Sequence, residues 1–129
     1  MRPNEDAGQM HYVVLYILTC RLIAHVFFLQ ATFTDTMYIQ QIATRRRHNF
    51  HQRVTQYSLR YSTDSIDGLI QIVETNGDVK LFSGNVDSNE TPIVNELPEV
   101  IEARIVRLVV EDYQGFPALR WELYGCSAL

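Results

Sequence analysis

Between residues 54 and 61 the chain alternates in polarity: Tyr57, Leu59 and Tyr61 fall on one side of an extended backbone, and Gln56, Ser58 and Arg60 on the other. Successive side chains of a strand point to opposite faces, so a period of two marks a strand with one face buried. The same period recurs in residues 104–110, where Val106, Leu108 and Val110 share a face. It recurs again in residues 118–124, where Leu119, Trp121 and Leu123 oppose Arg120 and Glu122, with Gly115 and Pro117 just before the strand. Residues 37–43 form a further β-rich run. Residues 69–74 and 78–82 flank Asn76-Gly77, a pair suited to a two-residue type I′ hairpin turn, in which both central positions need positive φ. Apolar runs of about five to eight residues separated by turn residues predict an all-β chain, with two antiparallel sheets packed as a sandwich or jelly roll. Leu59, Val106, Leu108, Leu119, Trp121 and Leu123 are its predicted core.

Residues 12–33 are mostly apolar and long enough to span a bilayer, but Arg21, His25 and Gln30 interrupt them. The cluster Arg45, Arg46, Arg47 would hold the domain downstream of a span in the cytoplasm. An export signal fits loosely, because Met1–His11 sets Arg2 against Glu5 and Asp6, and Leu29-Gln30-Ala31 is a poor cleavage site. Signal, anchor and buried strand all stay open for this segment.

With 129 residues, the chain has the size of one domain. Hydrophobic residues at 47% and charged residues at 20% exclude extensive disorder. The net charge of -4 hides an asymmetry: residues 1–53 hold six basic and three acidic side chains, and residues 54–129 hold five and twelve. One short basic run on an acidic chain argues against nucleic acid as a partner, which requires a broad basic face. The two cysteines, Cys20 and Cys126, allow at most one internal disulfide and make no zinc site by themselves.

That basic run is Arg45-Arg46-Arg47-His48-Asn49-Phe50-His51-Gln52-Arg53, between two predicted strands. Guanidinium groups pair bidentately with phosphate, sulfate or carboxylate, and an aromatic ring can enter the acyl boundary of a membrane or stack on a sugar. Arg45, Arg46, Arg47, His48, Phe50, His51 and Arg53 are therefore the candidate ligand-binding residues. The alternative is a solvated loop with Phe50 folded back on the core. His48 and His51 have no nearby third ligand, so no metal is expected there. Asp64, Asp67 and Asp87 read as turn formers. No nucleophile elbow, phosphate-binding glycine loop or zinc-protease motif is present, and Glu111 and Asp112, adjacent on a strand, would face opposite ways. The chain is not expected to be an enzyme. Asn89-Glu90-Thr91 is a glycosylation sequon that matters only on an exported chain.

Several motifs together resemble one family. They are Val54-Thr55-x-Tyr57-x-Leu59-x-Tyr61-Ser62-x-Asp64, Phe82-x-Gly84-Asn85-x-Asp87, Asn95-x-Leu97, Ile101-x-Ala103-Arg104-x-x-Arg107 and, most specifically, Ala118-Leu119-Arg120-x-Glu122-Leu123-Tyr124-Gly125-Cys126. This order resembles the discoidin family, also called the coagulation factor V/VIII type C domain. Phe28-Leu29-Gln30-Ala31-Thr32-Phe33 is similar to the family's Trp-Leu-Gln-Val-Asp-Leu strand, and Ile42-Ala43-Thr44-Arg45-Arg46-Arg47 to its Ile-Ala-Thr-Gln-Gly-Arg. Arg46 and Arg53 depart from the family's glycine and tryptophan.

The resemblance covers about residues 28–126 and leaves a non-matching apolar segment at 1–27 and a tail at 127–129. It implies a jelly-roll sandwich of extracellular or cell-surface proteins, attached to anionic phospholipid, glycan or glycoprotein through loops projecting from one end, with the basic run in one of them. It also implies a cysteine partner for Cys126, for which Cys20 is the one candidate, out of register with the family's first cysteine. In some relatives the acid matching Glu122 helps hold a structural calcium; here the other ligands are missing, and a glutamate paired with a neighbouring arginine is expected, with no cofactor. Residues 28–33 are expected as a strand, and any helix is confined to about residues 5–24. Two alternatives accompany the adhesion reading: a carbohydrate-targeting domain accessory to an enzyme, and a truncated domain without independent activity. Nothing in the pattern specifies an oligomeric state.

Overall fold

The computed structural model describes residues 11–15, 21–23, 26–46, 52–85 and 91–127. Eight strands form: β1 (His11–Leu15), β2 (Arg21–Ile23), β3 (Val26–Arg46), β4 (Arg53–Ser62), β5 (Ile70–Gln71), β6 (Phe82–Ser83), β7 (Ile93–Gln114) and β8 (Leu119–Ser127), with a single 3-10 turn at Ile66–Gly68. All pairings are antiparallel and take one path, β1-β8-β3-β7-β4-β5, with β2 against β3 and β6 against β4.

Two layers arise from this single path because β3 and β7 change partners along their length. Residues 28–32 of β3 pair with 105–109 of β7, and there β7 also pairs with β4. Further on, β3 from Met37 to Arg46 lies between β7 and β8. Each transition carries an irregularity: residues 33–36 of β3 stand opposite Arg104, and residues 97–100 of β7 stand opposite Gln40. Extra residues in one strand bend it and break the ladder locally. Pro98, which has no N–H to donate, falls in such a break.

The layers enclose one core. Leu59, Val106, Leu108, Leu119, Trp121 and Leu123 are all buried, as the alternation predicts, and Ile39, Ile42, Val54, Tyr57 and Phe82 join them. Tyr57 and Phe82 stack with ring centroids 5.3 Å apart and planes 12° from parallel. The Tyr57 hydroxyl accepts a hydrogen bond from Asn95 Nδ2 at 3.1 Å, and the same amide donates to the Ser83 carbonyl at 2.8 Å. Burial pushes the Tyr57 phenol well above the usual tyrosine range, and the Asn95 bond partly offsets this.

Four expectations change. Residues 28–33 and 37–43 are strand as expected, but they belong to one continuous strand, because β7 runs alongside both. Where a helix was permitted, residues 11–15 and 21–23 are strands, and β1 pairs with β8 from His11↔Gly125 to Leu15↔Trp121. The open side of β8 therefore has a strand partner. Phe28–Phe33, the last residues of the apolar stretch at 12–33, belong to β3, and among the described residues no helix is long and apolar enough to cross a membrane.

The fourth change is the hairpin turn. It closes at Asn76-Gly77 but is not a two-residue type I′ turn. Gly77 N–H donates to the Glu74 carbonyl at 2.9 Å, which makes Thr75 and Asn76 the central pair, and Gly77 comes next with φ 93°. This is the three-residue loop ending in a left-handed glycine. Asn76 Oδ1 accepts from Asp78 N–H at 3.0 Å and holds the turn.

This packing sets two expected outcomes. A Cβ built on Gly125 would lie 1.7 Å from the Tyr38 carbonyl oxygen, whereas one on Gly77 would meet nothing within 4 Å and would suffer only from its φ. Gly125→Ala should lower the unfolding free energy by about 3 kcal/mol, and Gly77→Ala by about 1. Urea denaturation of both variants checks this, and an equal loss would contradict the close approach of β3 and β8. The second concerns alkaline pH. The unfolded chain ionises Tyr57 near pH ~10, while the folded chain keeps it neutral, so its contribution is intact below that pH and is lost above it. Between pH ~10 and ~11, stability should fall by up to about 1.4 kcal/mol per unit more in the wild type than in Tyr57→Phe. Parallel pH profiles would contradict it.

Candidate functional site

Strand registers bring the chemistry to one end of the sandwich. Arg46 at the end of β3 pairs with Leu119 at the start of β8, and Arg53 at the start of β4 pairs with Gln114 at the end of β7. The 47–52 and 115–118 connections therefore leave from the same end. The connection preceding β7 arrives there too, because Thr44 pairs with Ile93. Gly84 N–H and Asn85 N–H donate to the Thr55 and Val54 carbonyls at 2.8 and 2.9 Å, tying that connection to the first residues of β4. Gly84 is required here, since a Cβ would come within 2.3 Å of the Val54 oxygen.

The candidate residues divide between strand and connection. Arg45 and Arg46 belong to β3 and Arg53 to β4, because pairing with β8 and β7 carries regular structure into what was expected as loop. Arg47, His48, Phe50 and His51 lie outside the described residues. Arg53 donates from its guanidinium to Gln114 Oε1. Arg45 stands directly opposite Arg120 of β8. Ile42↔Leu123 and Thr44↔Trp121 face the core, so the next pair along, Arg45↔Arg120, lies on the opposite face of the sheet. On the core side, Thr44 Oγ1 and Trp121 Nε1 are buried with no hydrogen-bond partner.

An aromatic group adjoins these arginines. Tyr113, at the end of β7, and Phe116, in the turn after it, remain 41% and 39% exposed. Phe27 meets both edge to face, with centroids 5.8 Å from Tyr113 and 6.0 Å from Phe116. Val54, next to Arg53, is the strand partner of Tyr113. Alternation placed Arg120 on the polar face of its strand without marking it as a binding residue, and neither alternation nor motif spacing singled out Tyr113, Phe116 or Phe27. Phe116 had a legible signal, a large apolar residue between Gly115 and Pro117; the others depend on register.

The remaining candidates have local roles or lie elsewhere. Glu122 accepts a hydrogen bond from the Tyr124 hydroxyl, not from an arginine as expected, because alternation puts Tyr124 on its own face two residues on. Among the described residues no group of three or more histidines, cysteines, aspartates or glutamates could hold a metal. Asp64 Oδ1 accepts from Ser65 N–H at 2.6 Å, a turn role as expected. Glu111 is the extra residue of a bulge between Tyr57↔Val110 and Gln56↔Asp112, and accepts from Ser58 Oγ at 2.6 Å. Cys126 is buried beside Tyr38, while Cys20, Asp87 and Asn89 lie outside the described residues.

Comparison with known proteins decides the family. The sequence model of the F5/8 type C domain matches residues 24–123. The chain belongs to the F5/8 type C domain family. It is 31% identical to mouse (Mus musculus) retinoschisin over 100 residues, 78% of this chain and 44% of that protein. The solved structure of recombinant discoidin II of Dictyostelium discoideum superposes with a TM-score of 0.68 and 26% identity, covering 80% of this chain and 38% of that one. Clostridium perfringens CpGH89CBM32-5, solved in complex with GalNAc-beta-1,3-galactose, shares the fold with a TM-score of 0.55 at 13% identity, over 92% of this chain and 94% of that one. The chain thus spans less than half the length of mouse retinoschisin. An F5/8 type C domain is a non-catalytic binding module with a β-sandwich fold, and the extracellular or cell-surface location expected of this chain agrees with that placement.

Proposed function

We propose that this F5/8 type C domain attaches its chain to an anionic surface, a phospholipid membrane or an acidic cell-surface glycan, through the end that carries the arginines and the aromatic group. One observation carries the reading: Arg45, Arg46, Arg53 and Arg120 gather on strand ends next to exposed Tyr113 and Phe116, on a chain whose net charge is -4. Charge supplies attraction at a distance, and rings supply an anchor at contact. Arg47 and Phe50, between β3 and β4 in the sequence, belong to the same basic and aromatic run. A second reading is carbohydrate targeting for an enzyme, favoured by the shared fold with a module solved in complex with a disaccharide. There the rings would act as a stacking platform.

The two kinds of residue should fail in different ways. Each arginine near an anionic bilayer contributes about 1 kcal/mol, an attraction screened within a Debye length. Burying an aromatic ring contributes about 1.5–3 kcal/mol and is much less sensitive to salt. Replacing Arg45, Arg46 and Arg47 with Gln should weaken co-sedimentation with phosphatidylserine vesicles strongly at low salt and little at high salt. Phe50→Ala and Phe116→Ser should weaken it at both. Wild-type behaviour of all three variants across the salt series would overturn the reading. Binding that survives without acidic lipid and is competed by free sugar would favour the carbohydrate alternative.

A further inference from the structure

The most unusual electrostatic feature of the described chain lies on the sheet, beside the connections. Arg45 of β3 and Arg120 of β8 are direct cross-strand partners. Side chains so paired share a face with Cβ atoms about 4.5–5.5 Å apart, and like charges in this position repel. Both arginines are half-buried, and the Nε of each is buried with no acceptor. A buried Nε without an acceptor is also found at Arg53 and Arg104, whereas Arg60 Nε donates to Gln71 Oε1 at 3.0 Å and Arg107 donates twice to Gln30 Oε1 while stacking 4.2 Å above the Phe28 ring; what sets Arg45 and Arg120 apart is that they stand opposite each other. The acid two residues along from Arg120, Glu122, is held by the Tyr124 hydroxyl. No carboxylate among the described residues pairs with Arg45 or Arg120.

Resting on the surface-attachment reading, we infer that Arg45 and Arg120 form a two-guanidinium clamp for one tetrahedral oxyanion, a sulfate or phosphate monoester carried by a glycan or a lipid headgroup. A bound oxyanion would change the energetics of the pair in two ways. It would sit between two positive charges and turn their repulsion into shared attraction. Its oxygens would also give acceptors to N–H groups that the chain leaves unserved, at the planar, bidentate geometry in which guanidinium excels. A phosphate monoester, close to doubly charged at neutral pH, and a sulfate monoester, singly charged, each present three terminal oxygens to the two guanidiniums, where a phosphodiester presents two. Ala43, two residues before Arg45, is small and buried, and its β7 partner Val94 is 53% exposed. The fit comes from register, which places residues 75 apart in sequence side by side.

The test uses the full chain and four variants: Arg45→Gln, Arg120→Gln, the double substitution, and Arg60→Gln as a remote control of equal charge change. Binding is measured to a sulfated heparin hexasaccharide and to vesicles containing phosphatidic acid, with lactose and phosphatidylcholine vesicles as neutral references. Each single clamp variant should lose about tenfold in affinity, and the double variant should lose little more than either single, because both arginines hold one anion. The probe on which this pattern appears identifies the source of the oxyanion. Thermal melts provide a readout independent of attachment. Sodium sulfate should raise the wild-type melting temperature more than that of either clamp variant, and without sulfate Arg45→Gln should melt about 1–3 °C higher than wild type, because repulsion is relieved. Additive losses, or losses matched by Arg60→Gln, overturn the clamp while leaving surface attachment standing. If the wild type binds neither probe, surface attachment falls, and the sulfate melts still decide: equal gains in all variants overturn the clamp too.

Discussion

The antiparallel pairing of β3 with β7 is the interaction on which the rest of this domain depends. Each strand exceeds twenty residues, and each passes through both layers of the sandwich. Where they pair at 28–32 and 105–109 they carry β2 and β4, and where they pair at 37–44 and 93–103 they carry β8 and, through it, β1. Two long strands held together along their length would make a flat ribbon. The irregularities at residues 33–36 and 97–100 bend it instead, so that Leu29 and Leu108 come to share one core with Ile42 and Leu123. Closing that core requires backbones to touch at Gly125 and Gly84, positions at which no side chain fits.

The same pairing builds the functional end. Strand ends, unlike connections, hold side chains in a fixed register, and Arg45, Arg46, Arg53 and Arg120 all sit on strand ends. An attachment surface made this way has part of its charge preorganised, which reduces the ordering cost of binding. The cost shows in the fold: like charges opposed on one face, and Thr44 and Trp121 leaving polar atoms unpartnered in the core directly behind them. Sites that break local rules of stability in this way are where binding function is usually found.

Much of the architecture was legible: period-two alternation named six core positions correctly, and the Asn76-Gly77 pair located the hairpin. The turn type was not legible, because Asn-Gly suits both a two-residue loop and a three-residue loop ending in glycine, and the choice rests on hydrogen bonds between Glu74, Gly77 and Asp78. The helix allowance in the first residues also had a physical cause. A run of apolar residues carries no period of its own, and what made residues 11–15 and 21–23 strands was the presence of β8 and β3 with open edges.

For the candidate site, the sequence by itself determined the residue types and their chemistry: a cluster of arginines about one phenylalanine on an acidic chain. It could not determine which of those arginines stand on strands, because strand length depends on how far a neighbour continues to pair. Nor could it connect Arg45 with Arg120 or Arg53 with Gln114, since these pairings join segments remote in the chain. Alternation fixes the face on which a side chain lies, and it is a local property. What stands opposite that side chain is fixed by register between strands, and only the folded sheet sets the register.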